Sequence, residues 1–352
     1  MNAVLKGLVE RVTAAAADGR PLRLRGGGTK DFYGNEVAGE PLDTRAFTGI
    51  VSYQPSELVI TARAGTPLAE LEAALAANNQ MLPFEPPHFG AGATLGGCVA
   101  AGLSGPRRAS AGAVRDFVLG ARLLDGRGRV LAFGGQVMKN VAGYDVSRLL
   151  AGSLGTLGVI LEVSLKVLPR PAQEASLRLE APEEKAIEWM NQWGGKPLPI
   201  SATCYVSGEL SVRLSGNPAA VRAAREKLGG EELPQPESFW LKLREQAHEA
   251  FTGTEPLWRL SLPCTTPPLR LPGVQVMEWG GALRWLASGA EPRALRDAAQ
   301  RAGGHATLFR ARDKAGGAFT PLSPVAARLH RDLKAAFDPA GIFNRGRLYP
   351  EL

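Results

Sequence analysis

Residues 22–29 read Leu-Arg-Leu-Arg-Gly-Gly-Gly-Thr. Leu22–Arg25 alternates apolar and basic residues with the period of a strand, and Gly26, Gly27 and Gly28 then give up all side-chain packing. Such a loop reads either as a flexible turn or as a cradle whose N–H groups converge on an anion with no Cβ in the way. A second glycine stretch, residues 90–102, reads Gly-Ala-Gly-Ala-Thr-Leu-Gly-Gly-Cys-Val-Ala-Ala-Gly. Thr94 suits the N-cap of a helix running to about Ala101, which places Leu95, Gly96 and Gly97 in its first turn. Each glycine there costs about 1 kcal/mol relative to alanine. That cost fits tight packing on a sheet, or the approach of a phosphate-bearing ligand to free N–H groups. A third stretch, Gly152-Ser153-Leu154-Gly155-Thr156-Leu157-Gly158, leads into the alternating run Val159–Val167. Each stretch alone has a plain structural explanation; three within one half of the chain point to a ligand carrying phosphate.

Working outward, the first half mixes helices and strands. A helix is expected over about 2–18, strands at 49–53, 58–64, 117–124 and 130–133, and a helix over 67–77 with Thr66 at its N-cap. Asp125-Gly126 makes a tight turn, and Asp145 caps a short helix. At Pro169-Arg170-Pro171 the composition changes. All six tryptophans lie beyond it, and 25 of the 42 glycines lie before it. The expected domains are 1–171, which binds the ligand, and 172–352. In the second, strands at 175–179, 201–206, 210–214, 257–262, 274–278 and 305–310 alternate with helices at 182–193, 218–228, 238–251, 291–302 and 324–336. That pattern is α+β: an antiparallel sheet with helices on one side.

Several function classes are disfavoured. The chain has 352 residues and a net charge of +7. Its basic residues are scattered, without a nucleic-acid motif, so no nucleic-acid partner is expected. No apolar run is long enough to span a membrane. Cys98, Cys204 and Cys264 stand far apart, and His88, His248, His305 and His330 lack ligand spacing, so no metal site is expected. There is no GxxxxGK[ST] loop. Gly90-Ala-Gly92-Ala-Thr-Leu95 lacks the last glycine of a dinucleotide fingerprint.

Taken together, RGGGT, the TLGG helix start, VRDFVLGARLLDGRGRV, GSLGTLGVILEVSLKVLPRP and the closing Phe337-Asp338-Pro339-Ala340-Gly341-Ile342-Phe343-Asn344 resemble the flavin domain of the vanillyl-alcohol-oxidase, or p-cresol methylhydroxylase (PCMH), type. The resemblance covers nearly the whole chain. Lys139-Asn140-Val141-Ala142-Gly143-Tyr144-Asp145 and the short length are more narrowly similar to the family of smaller FAD-binding subunits of bacterial glycolate oxidases.

The resemblance implies a two-subdomain α+β FAD-binding domain with the cofactor between the subdomains, followed by a smaller α+β domain. It implies that Arg25, Gly26, Gly27, Gly28 and Thr29 hold the pyrophosphate, with Gly92, Thr94, Leu95, Gly96 and Gly97 closing from the other side. Gly158, Val159 and Ile160 would receive the adenine, Arg115 and Asp116 would border the cofactor, and Asn344 would return near the flavin ring. Thr29 stands where covalently flavinylated members often carry histidine, so non-covalent FAD is expected. No catalytic residue can be assigned. The implied function is that of an FAD-binding component of a multi-subunit glycolate oxidase (glycolate dehydrogenase). The complex converts glycolate to glyoxylate, and this component supports or relays electron transfer to an iron–sulfur subunit. The expected partners are a larger flavin-binding subunit and that iron–sulfur subunit. The expected location is the cytoplasm, with at most peripheral association at the inner face of the cell membrane. The alternatives are a non-catalytic structural subunit of the same complex and an independent FAD-dependent oxidase of another hydroxylated substrate.

Overall fold

The computed structural model describes residues 3–135 and 145–352. Most of the motif at 139–145 therefore lies outside the described residues; Asp145 lies within them and caps the helix Val146–Leu149, accepting from the Arg148 amide at 3.3 Å.

The first half is built on a five-stranded antiparallel sheet. Its strand order is Ile50–Gln54, Val59–Arg63, Val159–Lys166, Val118–Leu124, Val130–Gly134. The alternating run seen in the sequence is the central strand. Val159 and Leu161 pack with Leu5, Leu8 and Val12 of the helix Ala3–Asp18. Val163 and Leu165 join Leu68, Leu71 and Leu75 of the helix Leu68–Ala76. Asp125, fully buried, holds the turn after Leu124 by accepting the amides of Arg127 and Arg129 at 3.0 and 2.8 Å. Thr66 does not cap the helix expected after it. Its hydroxyl accepts the Gly49 amide at 2.9 Å, and Pro67 occupies the cap position without a side-chain bond.

A small subdomain stands beside this sheet. The strand Leu22–Arg25 pairs in parallel with Glu40–Asp43. On its other side it meets the end of the chain: the Leu22 amide donates to Ile342 O at 2.7 Å, and the Asn344 amide donates to Leu22 O at 3.0 Å. Phe343 and Ile342 are fully buried there.

The second half is an eight-stranded antiparallel sheet in the order Glu231–Glu232, Gln173–Glu180, Glu209–Gly216, Ile200–Val206, Val274–Glu278, Leu283–Ala287, Leu257–Ser261, His305–Arg310. Two expectations need correction. Leu283–Ala287 is a strand that the sequence reading passes over, because Arg284 sits where an apolar residue would show the pattern. Arg284 is fully buried and donates to Pro267 O at 2.9 Å and to Thr266 O. The helix expected over 238–251 breaks after Pro236–Arg244, where Gln246 has φ +51, and resumes only as a short turn at Glu249–Phe251.

One face of this sheet carries helices, including Pro292–Arg301, whose Leu295 and Ala299 pack with Trp258 and Leu260. The other face meets the first half. There Trp240, Trp279, Trp285 and Phe309 pack with Tyr33, Ala101, Leu103 and Leu154.

Candidate functional site

Two adjoining grooves, of about 420 and 530 Å3, run between the small subdomain and the five-stranded sheet. They share Leu24, Arg25, Gly26, Gly97, Ala100, Leu154 and Asn344, so they form one cleft. The strand Leu22–Arg25 delivers the triple-glycine loop to its edge. Among the described residues, the backbone N–H groups of Gly26, Gly27, Gly28, Thr29 and Lys30 meet no acceptor. Five free donors on one turn suit an anion.

Close contact explains why these positions are glycine. A Cβ on Gly27 would lie 1.5 Å from Gly92 O, and one on Gly26 would lie 2.5 Å from Thr94 Oγ1. Gly28 has φ +74, a conformation that side chains rarely adopt. Lys30 and Arg347 also line the loop end of the cleft. Burial lowers the Lys30 pKa, and its Nζ donates to His88 O at 3.2 Å. Arg25 is paired with Asp31 at 2.7 Å. The free amides, the side-chain-free floor and the nearby cations fit the diphosphate of FAD.

The glycines of the helix Leu95–Ala101 act differently from the phosphate-approach reading. The Leu95 amide donates to Thr66 O at 2.9 Å and the Gly96 amide to Ala64 O at 2.7 Å. Thr94 Oγ1 accepts the Gly97 amide at 3.3 Å. The first-turn donors are therefore already engaged within the protein. Gly96 is small because a Cβ there would meet Ala64 Cβ at 2.7 Å, so it lets the helix pack on the sheet. Gly97 meets only Thr94 Oγ1, at 3.2 Å, and leaves the cleft wall flat.

At the far end, Gly158, Val159 and Ile160 line the cleft with Gly155 and Thr44. Gly158 has φ +154, and a Cβ there would lie 2.7 Å from Leu124 O. Asn344, 5% exposed, is committed to the protein: Oδ1 accepts the Leu24 amide at 2.8 Å and Nδ2 donates to Leu154 O at 2.6 Å. It clamps the two walls.

The cleft thus gathers Arg25, Gly26, Gly27, Gly28, Thr29, Thr94, Gly96, Gly97, Gly158, Val159, Ile160 and Asn344. Four expected residues lie outside both grooves. Leu95 is core, 1% exposed. Gly92 stands behind Gly27 and only backs its loop. Arg115 has a side chain 65% exposed, and Asp116 Oδ2 accepts the Ala113 amide at 2.8 Å, capping its own short helix. Leu24, Lys30, Leu154 and Arg347 line the cleft without having been expected. Lys30 could have been found from its place directly after Thr29; Arg347 gave no signal.

The seam between the first half and the facing sheet adds a second feature. Two guanidiniums stand against the Trp279 ring, with Arg108 at 4.4 Å and Arg259 at 5.4 Å from its centroid. Arg259 acts electrostatically on the Tyr33 hydroxyl and on the Glu278 carboxyl, and Asp116 acts on Arg108. Burial, then the neighbouring Arg259 charge, lowers the Arg108 pKa. Two like charges held this close suit a small anion.

Comparison with known proteins agrees with this geometry. A family model described as an FAD binding domain matches residues 6–134. A solved structure of alkyldihydroxyacetonephosphate synthase aligns over 96% of this chain and 74% of that one, with TM-score 0.66 and 16% identity, a likeness of fold. The class is that of FAD-binding oxidoreductases. Glycolate oxidase subunit GlcE of Escherichia coli (strain K12) is 53% identical over 347 residues, covering 99% of this chain and 98% of that protein. Glycolate oxidase subunit GlcD of Bacillus subtilis (strain 168) is 28% identical over 172 residues, covering 48% of this chain and 36% of that protein. The chain belongs to the glycolate oxidase subunit GlcE family.

Proposed function

We propose that this chain is the FAD-binding subunit of a multi-subunit glycolate oxidase that converts glycolate to glyoxylate. The observation that carries the reading is the cleft itself, with five free amides on a glycine loop, in a chain similar end to end to a glycolate oxidase subunit. When bound, FAD supplies the acceptor for a hydride from the substrate carbon.

The chain's own residues position that cofactor. The amides of Gly26 to Lys30 take the diphosphate oxygens, with Lys30 and Arg347 balancing their charge. The backbone of Gly158, Val159 and Ile160 receives the adenine. Asn344 fixes the width of the cleft between Leu24 and Leu154. Arg108, on the short helix Arg108–Ala111 of the first half, and Arg259, on the strand Leu257–Ser261 of the facing sheet, offer the glycolate carboxylate a place beside Trp279. The flavin is held without a covalent bond. Residues 1–171 make the flavin domain and 172–352 the covering domain, whose last residues return to the first strand.

The proposed partners are a larger flavin-binding subunit of the GlcD kind and an iron–sulfur subunit. Among the described residues no group of three or more His, Cys, Asp or Glu side chains could hold a metal ion. A cluster that receives the electrons would therefore use ligands from another chain. No helix among the described residues is long and apolar enough to cross a membrane; we place the complex in the cytoplasm, with at most peripheral contact at the inner membrane face.

Anaerobic mixing with glycolate and a dye acceptor tests the reading. Sustained dye reduction is expected only when this chain is combined with its partner subunits. Steady reduction by the isolated chain would favour an independent oxidase. Full activity of the partners without this chain would favour a structural subunit.

A further inference from the structure

The helix Pro324–Phe337 has one buried residue along its 14, and that residue is a lysine. Lys334 is 8% exposed. Burying an ammonium is costly unless its protons are all engaged. Here three acceptors surround it: Nζ donates to Thr156 O at 2.8 Å, to Phe343 O at 2.7 Å and to Asp338 Oδ2 at 2.8 Å. Asp338, 1% exposed, is engaged in turn. It accepts the Ile342 amide at 3.0 Å and the Phe343 amide at 2.8 Å.

The two backbone acceptors belong to the two segments that wall the cleft. Thr156 lies between Gly155 and Gly158, which line it, and Phe343 immediately precedes Asn344. Lys334 itself does not line the cleft. It faces a separate groove of about 640 Å3 on the outer side, with Leu157, Leu333 and Leu352. An ion pair serving only the helix would need no second and third chain segment. This one ties the glycine loop 152–158 to the closing segment 338–344, and Asn344 passes the constraint on to Leu24 and Leu154.

We propose that Lys334, acting with Asp338, is a positioning residue for FAD, setting the separation of the two cleft walls from behind without touching the cofactor. The inference rests on the reading that FAD occupies this cleft. Because a buried pair behaves as a unit, breaking it from either side leaves an uncompensated charge or an empty acceptor set.

The test is titration of FAD into the apo chain, followed by flavin fluorescence, for wild type, Lys334→Met, Asp338→Asn and the double variant. Thermal unfolding of each apo protein is recorded alongside. Lys334→Met is expected to weaken FAD binding by about tenfold or more, at a temperature where the apo protein is still folded. The double variant is expected to bind no more weakly than Lys334→Met alone. A purely structural role would lower the unfolding midpoint and leave the FAD dissociation constant unchanged, and that result would overturn the proposal. So would effects of the two single variants that simply multiply in the double variant. Should Lys334→Met not fold, Asp338→Asn decides: weakened FAD binding by a folded protein supports the proposal, and unchanged binding overturns it. Absence of saturable FAD uptake by the wild type would instead defeat the underlying reading of the cleft.

Discussion

Replacing Gly27 by alanine should separate the cradle from a mere turn. Gly27 has no positive φ, so alanine meets no backbone penalty there; the effect is steric. The new Cβ would stand 1.5 Å from Gly92 O, whereas real Cβ atoms keep at least 3.0 Å from such neighbours. The two loops must therefore part by roughly 1.5 Å. A donor at about 2.9 Å from a phosphate oxygen that moves by this much no longer bonds it. Losing one hydrogen bond to a charged group costs about 1.5–3 kcal/mol. At 1.4 kcal/mol per factor of ten, FAD affinity should fall by about one to two orders of magnitude. The assay is calorimetric titration of FAD into the apo protein. Gly316→Ala, at an exposed position with nothing within 4 Å of the new Cβ, is the control. Equal FAD affinity in the two variants would refute the assignment of the glycine loop.

Further outcomes follow from other residues. Acid precipitation of the FAD-loaded chain should leave the flavin in the supernatant, since Thr29 puts no imidazole on the loop; flavin bound to the pellet would contradict this. Glu278 is fully buried, and burial chiefly raises its pKa from 4.5 to about 7, opposed by the Trp285 indole N–H at 2.7 Å. The folded state therefore keeps the carboxyl proton that the unfolded state loses first, and stability falls as pH rises from 4.5 through 7. Glu278→Gln should raise stability at pH 8 by about 2–3 kcal/mol and change it little at pH 4. Urea unfolding at both pH values checks this, and an equal change at both would contradict it.

The legible parts of the site are those whose physical reason is local. The triple-glycine loop, the alternating strand from Val159 and the Asp125 turn are set by neighbours in sequence. Gly96 is ambiguous in sequence: it lines the cleft, and its missing side chain also makes room for Ala64. Arg115 and Asp116 enter through the resemblance alone, and their side chains serve solvent and a local cap. Leu154 and Arg347 reach the cleft only through tertiary contacts, and Lys334 has partners 178 residues away in sequence, at Thr156. The strand Leu283–Ala287 is hidden because buried Arg284 is satisfied by carbonyls outside its own strand. The break at Gln246 carries no glycine or proline to mark it.

The most direct test of the account is the stoichiometry of FAD on the isolated chain. Titrating FAD into the purified apo protein and following flavin fluorescence should give saturable uptake of one FAD per chain, lost or greatly weakened in Gly27→Ala. A chain that takes up no FAD, or takes it up equally well with that loop forced open, would contradict the claim that this cleft holds the cofactor.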